Sequence, residues 1–119
     1  KTERNYQQNK TILSGNIGHE KSASDNSYHV VLGSLNSIID GVTIADGYAD
    51  GEITDRFGGG LYNWGYESSS IIRNCTFTNN YAEDGGAVFC FADVLSYFEN
   101  VQFKNNKASI ACKSNCPAR

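Results

Sequence analysis

Four carboxylates fall within ten residues in Asp46-Gly-Tyr-Ala-Asp-Gly-Glu-Ile-Thr-Asp55. Calcium takes roughly six to eight oxygen ligands and tolerates irregular loops, so such a stretch can supply part of a site. Asp46, Asp50, Glu52 and Asp55 are therefore the candidate calcium ligands, and calcium is the one cofactor that the composition suggests. Their spacing departs from the EF-hand loop, and a solvated acidic loop explains the same residues. Carboxylates also serve glycoside hydrolysis, which needs an acid and a second carboxylate at a fixed separation. Asp40 aligns with Arg73 and Glu99, and Asp46 with Asn79 and Asn105, so no carboxylate pair recurs. His29 sits among strand formers and His19 in a polar loop, neither beside a nucleophile or another metal ligand. No catalytic residue is assigned, and the expectation is a protein that is not an enzyme.

The four cysteines permit three full pairings. Cys75 occupies the slot that Val42 and Val101 fill in related segments, which makes it a small buried hydrophobe. Cys90 aligns with Trp64. Cys112 and Cys116 are the disulfide candidates, closing a small loop at the C-terminal end or pairing with a neighbouring molecule; as zinc ligands they lack a second pair. Tyr62, Trp64 and Tyr66 are candidate sugar-contact aromatics. Tyr48 and Tyr81 fall at equivalent positions and read as a stacked ladder. Asn9-Lys-Thr11 and Asn74-Cys-Thr76 match the glycan acceptor pattern.

These residues are positioned by a sequence that repeats. Ser37-Ile-Ile-Asp-Gly-Val-Thr-Ile-Ala-Asp-Gly-Tyr-Ala-Asp50 returns as Ser70-Ile-Ile-Arg-Asn-Cys-Thr-Phe-Thr-Asn-Asn-Tyr-Ala-Glu83, and more loosely from Ser96 to Ser109. Copies starting at residues 37, 70 and 96 give a short, irregular period, the signature of a solenoid with variable loops. Within each copy apolar residues alternate with polar ones. Val42/Ile44, Cys75/Phe77 and Val101/Phe103 flank Thr43, Thr76 and Gln102, a period of two with one face buried. Those six apolar residues form the predicted core stack. Asp40-Gly41, Arg73-Asn74 and Glu99-Asn100 break the parity and read as corners, since Gly and Asn tolerate left-handed backbone. Asn79/Asn105 and Asn80/Asn106 read as hydrogen-bonded ladders along the stack.

The chain has 12 glycines, one proline and no methionine. Asn-Asn, Asp-Gly and Gly-Gly interrupt every window long enough for a helix. The pattern predicts an all-β, right-handed parallel β-helix with a few coils, either a segment of a longer helix or an assembling subunit. One domain spans residues 1–119, with a polar segment or cap at 1–10, coils at 11–109 and a cysteine-containing tail at 110–119.

Gly59-Gly-Leu-Tyr62 and Gly85-Gly-Ala-Val88 lie 26 residues apart, the offset that also separates Phe77-Thr-Asn-Asn80 from Phe103-Lys-Asn-Asn106. Together these motifs resemble the GGA(I/L/V) and FxxN repeats of chlamydial polymorphic outer membrane proteins and, more widely, the right-handed parallel β-helix repeat proteins of bacterial surfaces. Thr11–Ile17, Ser27–Val31 and Asp40–Ile44 also look like the opening coils of secreted β-helix proteins of Bacteroidetes. The resemblance covers residues 10 to 109 and implies fold, export and a surface location. It implies no activity, because the matching residues are those that build coils. Ile44-Ala-Asp-Gly47 departs from Phe-x-x-Asn, and residues 14–37 show no clear repeat.

The formal net charge is −3 with no basic run, so the footprint of a nucleic-acid partner is absent. No apolar stretch approaches the ~20 residues that span a bilayer as a helix. Lys1 is not a start methionine, which suggests a piece of a longer precursor. The resulting expectation is a structural or adhesive scaffold of an exported, extracellular or cell-surface bacterial protein, with glycans or host and cell-surface molecules as partners. Open coil ends allow continuation of the helix or self-association, hence the alternative of a fibre subunit. The other alternative is a carbohydrate-binding or polysaccharide-processing module of the pectate-lyase kind.

Overall fold

A computed structural model describes residues 4–65, 69–91 and 96–109. Every element in it is a short strand. A lone β1 (Ile12–Ser14) precedes a first full coil of β2 (Val31–Leu32), β3 (Ser37–Asp40), β4 (Thr43–Ala45) and β5 (Tyr48–Ala49). The second coil carries β6 (Leu61–Asn63), β7 (Ser70–Arg73), β8 (Thr76–Thr78) and β9 (Tyr81–Ala82). The third carries β10 (Val88–Cys90), β11 (Tyr97–Glu99), β12 (Gln102–Lys104) and β13 (Lys107–Ala108). Equivalent strands pair in parallel into four sheets, ordered β1-β4-β8-β12, β2-β6-β10, β3-β7-β11 and β5-β9-β13. The molecule is a parallel β-solenoid of about three turns.

The repeats set this register residue by residue. Thr43 pairs with Thr76 and Thr76 with Gln102, while Ile39 pairs with Ile72 and Ile72 with Phe98. Ile44, Phe77 and Ile72 point into the core and are fully buried, joined there by Leu61 and Cys75. Val42, Val101, Ile39 and Val88 pack around that centre. The predicted core column is thus present, with one correction: Phe103 is 54% exposed. It stacks on Phe77 with ring centroids 5.4 Å apart, but no further described coil covers its other face.

Corners recur at two heights of each coil. Gly41, Asn74 and Asn100 have φ of 72°, 53° and 51°, and form the first corner as their residue types predict. Asp46, Asn79 and Asn105 form the second, with φ of 64°, 56° and 55°. Asn79 and Asn105 are therefore turn residues rather than the expected ladder, and the inward amide ladder runs through the next column. Asn80 accepts from the Gly47 amide at 3.0 Å and donates through Nδ2 to the Ile44 carbonyl and to Asn106 Oδ1, both at 3.0 Å. Asn106 in turn donates to the Phe77 carbonyl at 2.9 Å. The amides satisfy backbone groups that the corners would otherwise leave unpaired inside the stack.

The glycine motif is where the expected alignment fails. Leu61 pairs with Val88 and Asn63 with Cys90, one residue out of step with the 26-residue offset. The paired glycine corners are Gly58 and Gly85, with φ of 61° and 65°. Ala87 therefore takes the place of Gly60, and Cys90 aligns with Asn63 instead of Trp64. Because side chains alternate between faces, a slip of one would have sent Leu61 outward, and burial of Leu61 selects the observed register. Between Asn63 and Ile71 the second coil has one residue more than the third has between Cys90 and Tyr97, which restores the 26-residue offset.

Candidate binding groove

The N-terminal segment does not cross an end of the stack. It runs along one flank, over the first corner of successive coils. Asn5 starts a tight turn, its Oδ1 accepting from the amides of Gln7 and Gln8 at 3.2 and 3.0 Å. Arg4 donates through its guanidinium to the Asp40 carbonyl on the first coil. The Tyr6 hydroxyl donates to Asn74 Oδ1 on the second at 3.3 Å and accepts from Asn100 Nδ2 on the third at 3.2 Å. Asn100 also donates to Asn74 Oδ1 at 2.8 Å, so the corner asparagines form a ladder of their own. A side chain at position 41 would meet Arg4 at 2.7 Å and the Tyr6 Cβ at 3.2 Å, so glycine is needed there for close approach as well as for φ.

Asp40 anchors the top of this corner. Its Oδ1 accepts from Asn74 Nδ2 and its Oδ2 from Arg73 Nε, both at 3.0 Å. The Asn74 hydrogen bond, with those groups of Arg73 and Arg4, outweighs partial burial and holds the Asp40 carboxyl below its ordinary value.

Between this segment and the outer face of β4, β8 and β12 lies a groove of about 290 Å³. Tyr6, Gln7 and Lys10 form one side. The sheet contributes Thr43, Thr76 and Gln102, stacked in register on neighbouring strands, together with Lys104. Adjacent strands lie ~4.8 Å apart, so these polar tips repeat at that interval along the groove floor. Among the described residues its lining holds two lysines and no carboxylate, in a chain whose net charge is −3. Neither lysine has a carboxylate within ion-pair distance among the described residues, where the pairs are Arg73–Asp40, Arg56–Glu83 and His29–Asp55.

No protein-family model, curated protein or solved structure matches this chain.

The candidate calcium ligands do not converge. Asp46 is a corner residue whose Oδ2 accepts from Ser14 Oγ at 3.0 Å. Asp55 lies 3.7 Å from His29 Nε2, and Asp50 and Glu52 are exposed. Among the described residues no three His, Cys, Asp or Glu side chains gather as a metal site would require.

Of the three candidate sugar-contact aromatics, the two that are described differ in exposure. Tyr62 is buried, stacked on His29 with centroids 5.0 Å apart and flanked by Phe57 and Phe89. Its phenol is pushed above its ordinary value by burial and by the Asp55 charge. A ring enclosed by His29, Phe57 and Phe89 cannot stack on a sugar. Trp64 is exposed, and Tyr66 lies outside the described residues, as do Cys112 and Cys116. Cys75 is a free buried thiol whose Sγ donates to the Arg73 carbonyl at 3.1 Å, and Cys90 is free and exposed. The Tyr48–Tyr81 ladder forms as expected, with centroids 4.5 Å apart.

Thr43, Thr76 and Gln102 were recognisable from parity as outward residues. Lys104 shares the parity of Gln102, whereas Tyr6 and Lys10 carry no local signal, because their meeting with the sheet depends on where the N-terminal segment lies. Among the described residues no helix is long and apolar enough to cross a membrane.

Proposed function

We propose that the protein is a non-catalytic structural or adhesive scaffold of a secreted or cell-surface bacterial protein. The observation that carries this reading is the in-register stack itself. Each coil repeats the same inward apolar columns and turns at the same two positive-φ positions, filled by Gly41 and Asp46 in the first coil and by asparagines in the next two, so the chain's specific interactions serve to build a regular stacked surface. Three of the acidic and histidine side chains weighed as chemical groups take structural partners, Asp40 with Arg73 and Asn74, Asp46 with Ser14, and His29 with the Gly58 carbonyl. Export and the surface location rest on the resemblance of the Gly-Gly-Ala-Val and Phe-x-x-Asn motifs to bacterial β-helix repeats. A right-handed coil follows from the rule that parallel crossovers are right-handed in about 98% of cases.

The test is a panel of acidic and neutral polysaccharides incubated with the protein and followed for both chain shortening and retention on protein-coated beads. Neither shortening nor tight retention is expected. Turnover or tight retention of any of them would overturn the scaffold reading in favour of a carbohydrate-binding or polysaccharide-processing module. A second reading, a fibre subunit, is favoured by the apolar side chains open at both ends of one inward column, Leu13 at 39% and Phe103 at 54% exposed. Filaments in electron micrographs of purified protein would support it, and a monodisperse monomer at high concentration would exclude it.

A further inference from the structure

We infer that the groove beneath the N-terminal segment binds a small polyhydroxylated anion, the chemical class of a sugar acid. Three observations converge on that class. The groove holds two ammonium groups and no carboxylate among its described lining residues, against the sign of the whole chain, which selects an anion. The rest of its wall offers hydroxyls and primary amides from Thr43, Thr76 and Gln102 on the sheet and Gln7 on the segment, groups that both donate and accept and so match a ligand rich in hydroxyls. Its volume of about 290 Å³ lies at the low end of ligand pockets, which favours a single ring over a larger molecule. The wall is also held in place before any ligand arrives. Tyr6 is tied to both corner asparagines, Arg4 to the Asp40 carbonyl, and the floor is a paired sheet. Preorganisation of this kind reduces the ordering cost of binding.

This inference goes beyond the scaffold reading and stands or falls separately from it. The experiment titrates isotopically labelled protein with sodium glucuronate, glucose and sodium acetate, and follows amide shifts. Glucuronate is expected to shift the amides of Thr43, Thr76, Gln102 and Lys104 together, with glucose and acetate each binding more weakly. Lys10→Gln and Lys104→Gln should each weaken glucuronate binding about fivefold with the amide spectrum otherwise retained. Thr76→Val serves as the second variant should a lysine replacement disturb folding, and it too should weaken glucuronate. Acetate binding as tightly as glucuronate would reduce the groove to a simple anion site and overturn the assignment. Glucose binding equally well, shifts confined to residues outside the groove, or no shifts at all would overturn it too.

Discussion

Asparagine does two separate jobs in this molecule, and neighbouring residues show the difference. Asn79 turns the chain with positive φ, whereas Asn80 points inward and holds three coils together through its amide. Replacing Asn80 with Ala leaves the buried Gly47 amide and Ile44 carbonyl without these partners, and should cost about 2–3 kcal/mol in urea unfolding. Asp40 gives a prediction in pH. Its carboxyl is held below the ordinary 3.8, mainly by Asn74, so the stabilisation it contributes is present above that value and is lost as pH falls through the lower, folded one. Asn74→Ala should raise the Asp40 pKa toward 3.8, read from its carboxyl carbon shift in a pH titration. An unchanged value would remove Asn74 as the main cause. At this scale the sequence was informative where a residue type has one conformational use, as at Gly41, and ambiguous for paired asparagines, where a one-position difference decides between corner and ladder.

Strands of two to four residues carry little stability alone, and what each contributes depends on whether coils lie on both sides. Phe77 on β8 and Phe103 on β12 occupy the same column in register, yet one is fully buried and the other half open. Phe77→Ala should therefore cost about 3–5 kcal/mol, and Phe103→Ala roughly a third of that, in parallel denaturation curves. Equal losses would mean that something covers β12. The strands from Ser37 to Ala49 and from Ser70 to Ala82 were legible because alternation and corner residues agree over the whole copy. The Gly-Gly strand was not: Gly58-Gly-Gly60 offers two alignments with Gly85-Gly86, and the burial of Leu61 and the shared positive φ of Gly58 and Gly85 decide between them.

Taken whole, the molecule derives its surface from its stacking. Outward positions are brought into rows by the same register that buries the inward ones, so Thr43, Thr76 and Gln102 become neighbours although they are distant in sequence. The parallel architecture was legible because like segments recur in the same direction. The groove was only half legible, since periodicity reveals its floor but not the N-terminal segment that walls it. The difference between buried Tyr62 and exposed Trp64 has the same origin: nothing in their spacing shows that His29, Phe57 and Phe89 enclose one of them.

Parallel, in-register stacking is the claim on which the rest depends, and through-hydrogen-bond scalar couplings test it most directly. The fold predicts couplings from the Thr76 amide nitrogen to the Val42 carbonyl carbon, from Gln102 to Cys75 and from Leu61 to Ala87, whose nitrogen–oxygen distances are 3.1, 3.0 and 2.8 Å. Reciprocal couplings between adjacent segments, the pattern of an antiparallel hairpin sandwich, would contradict it.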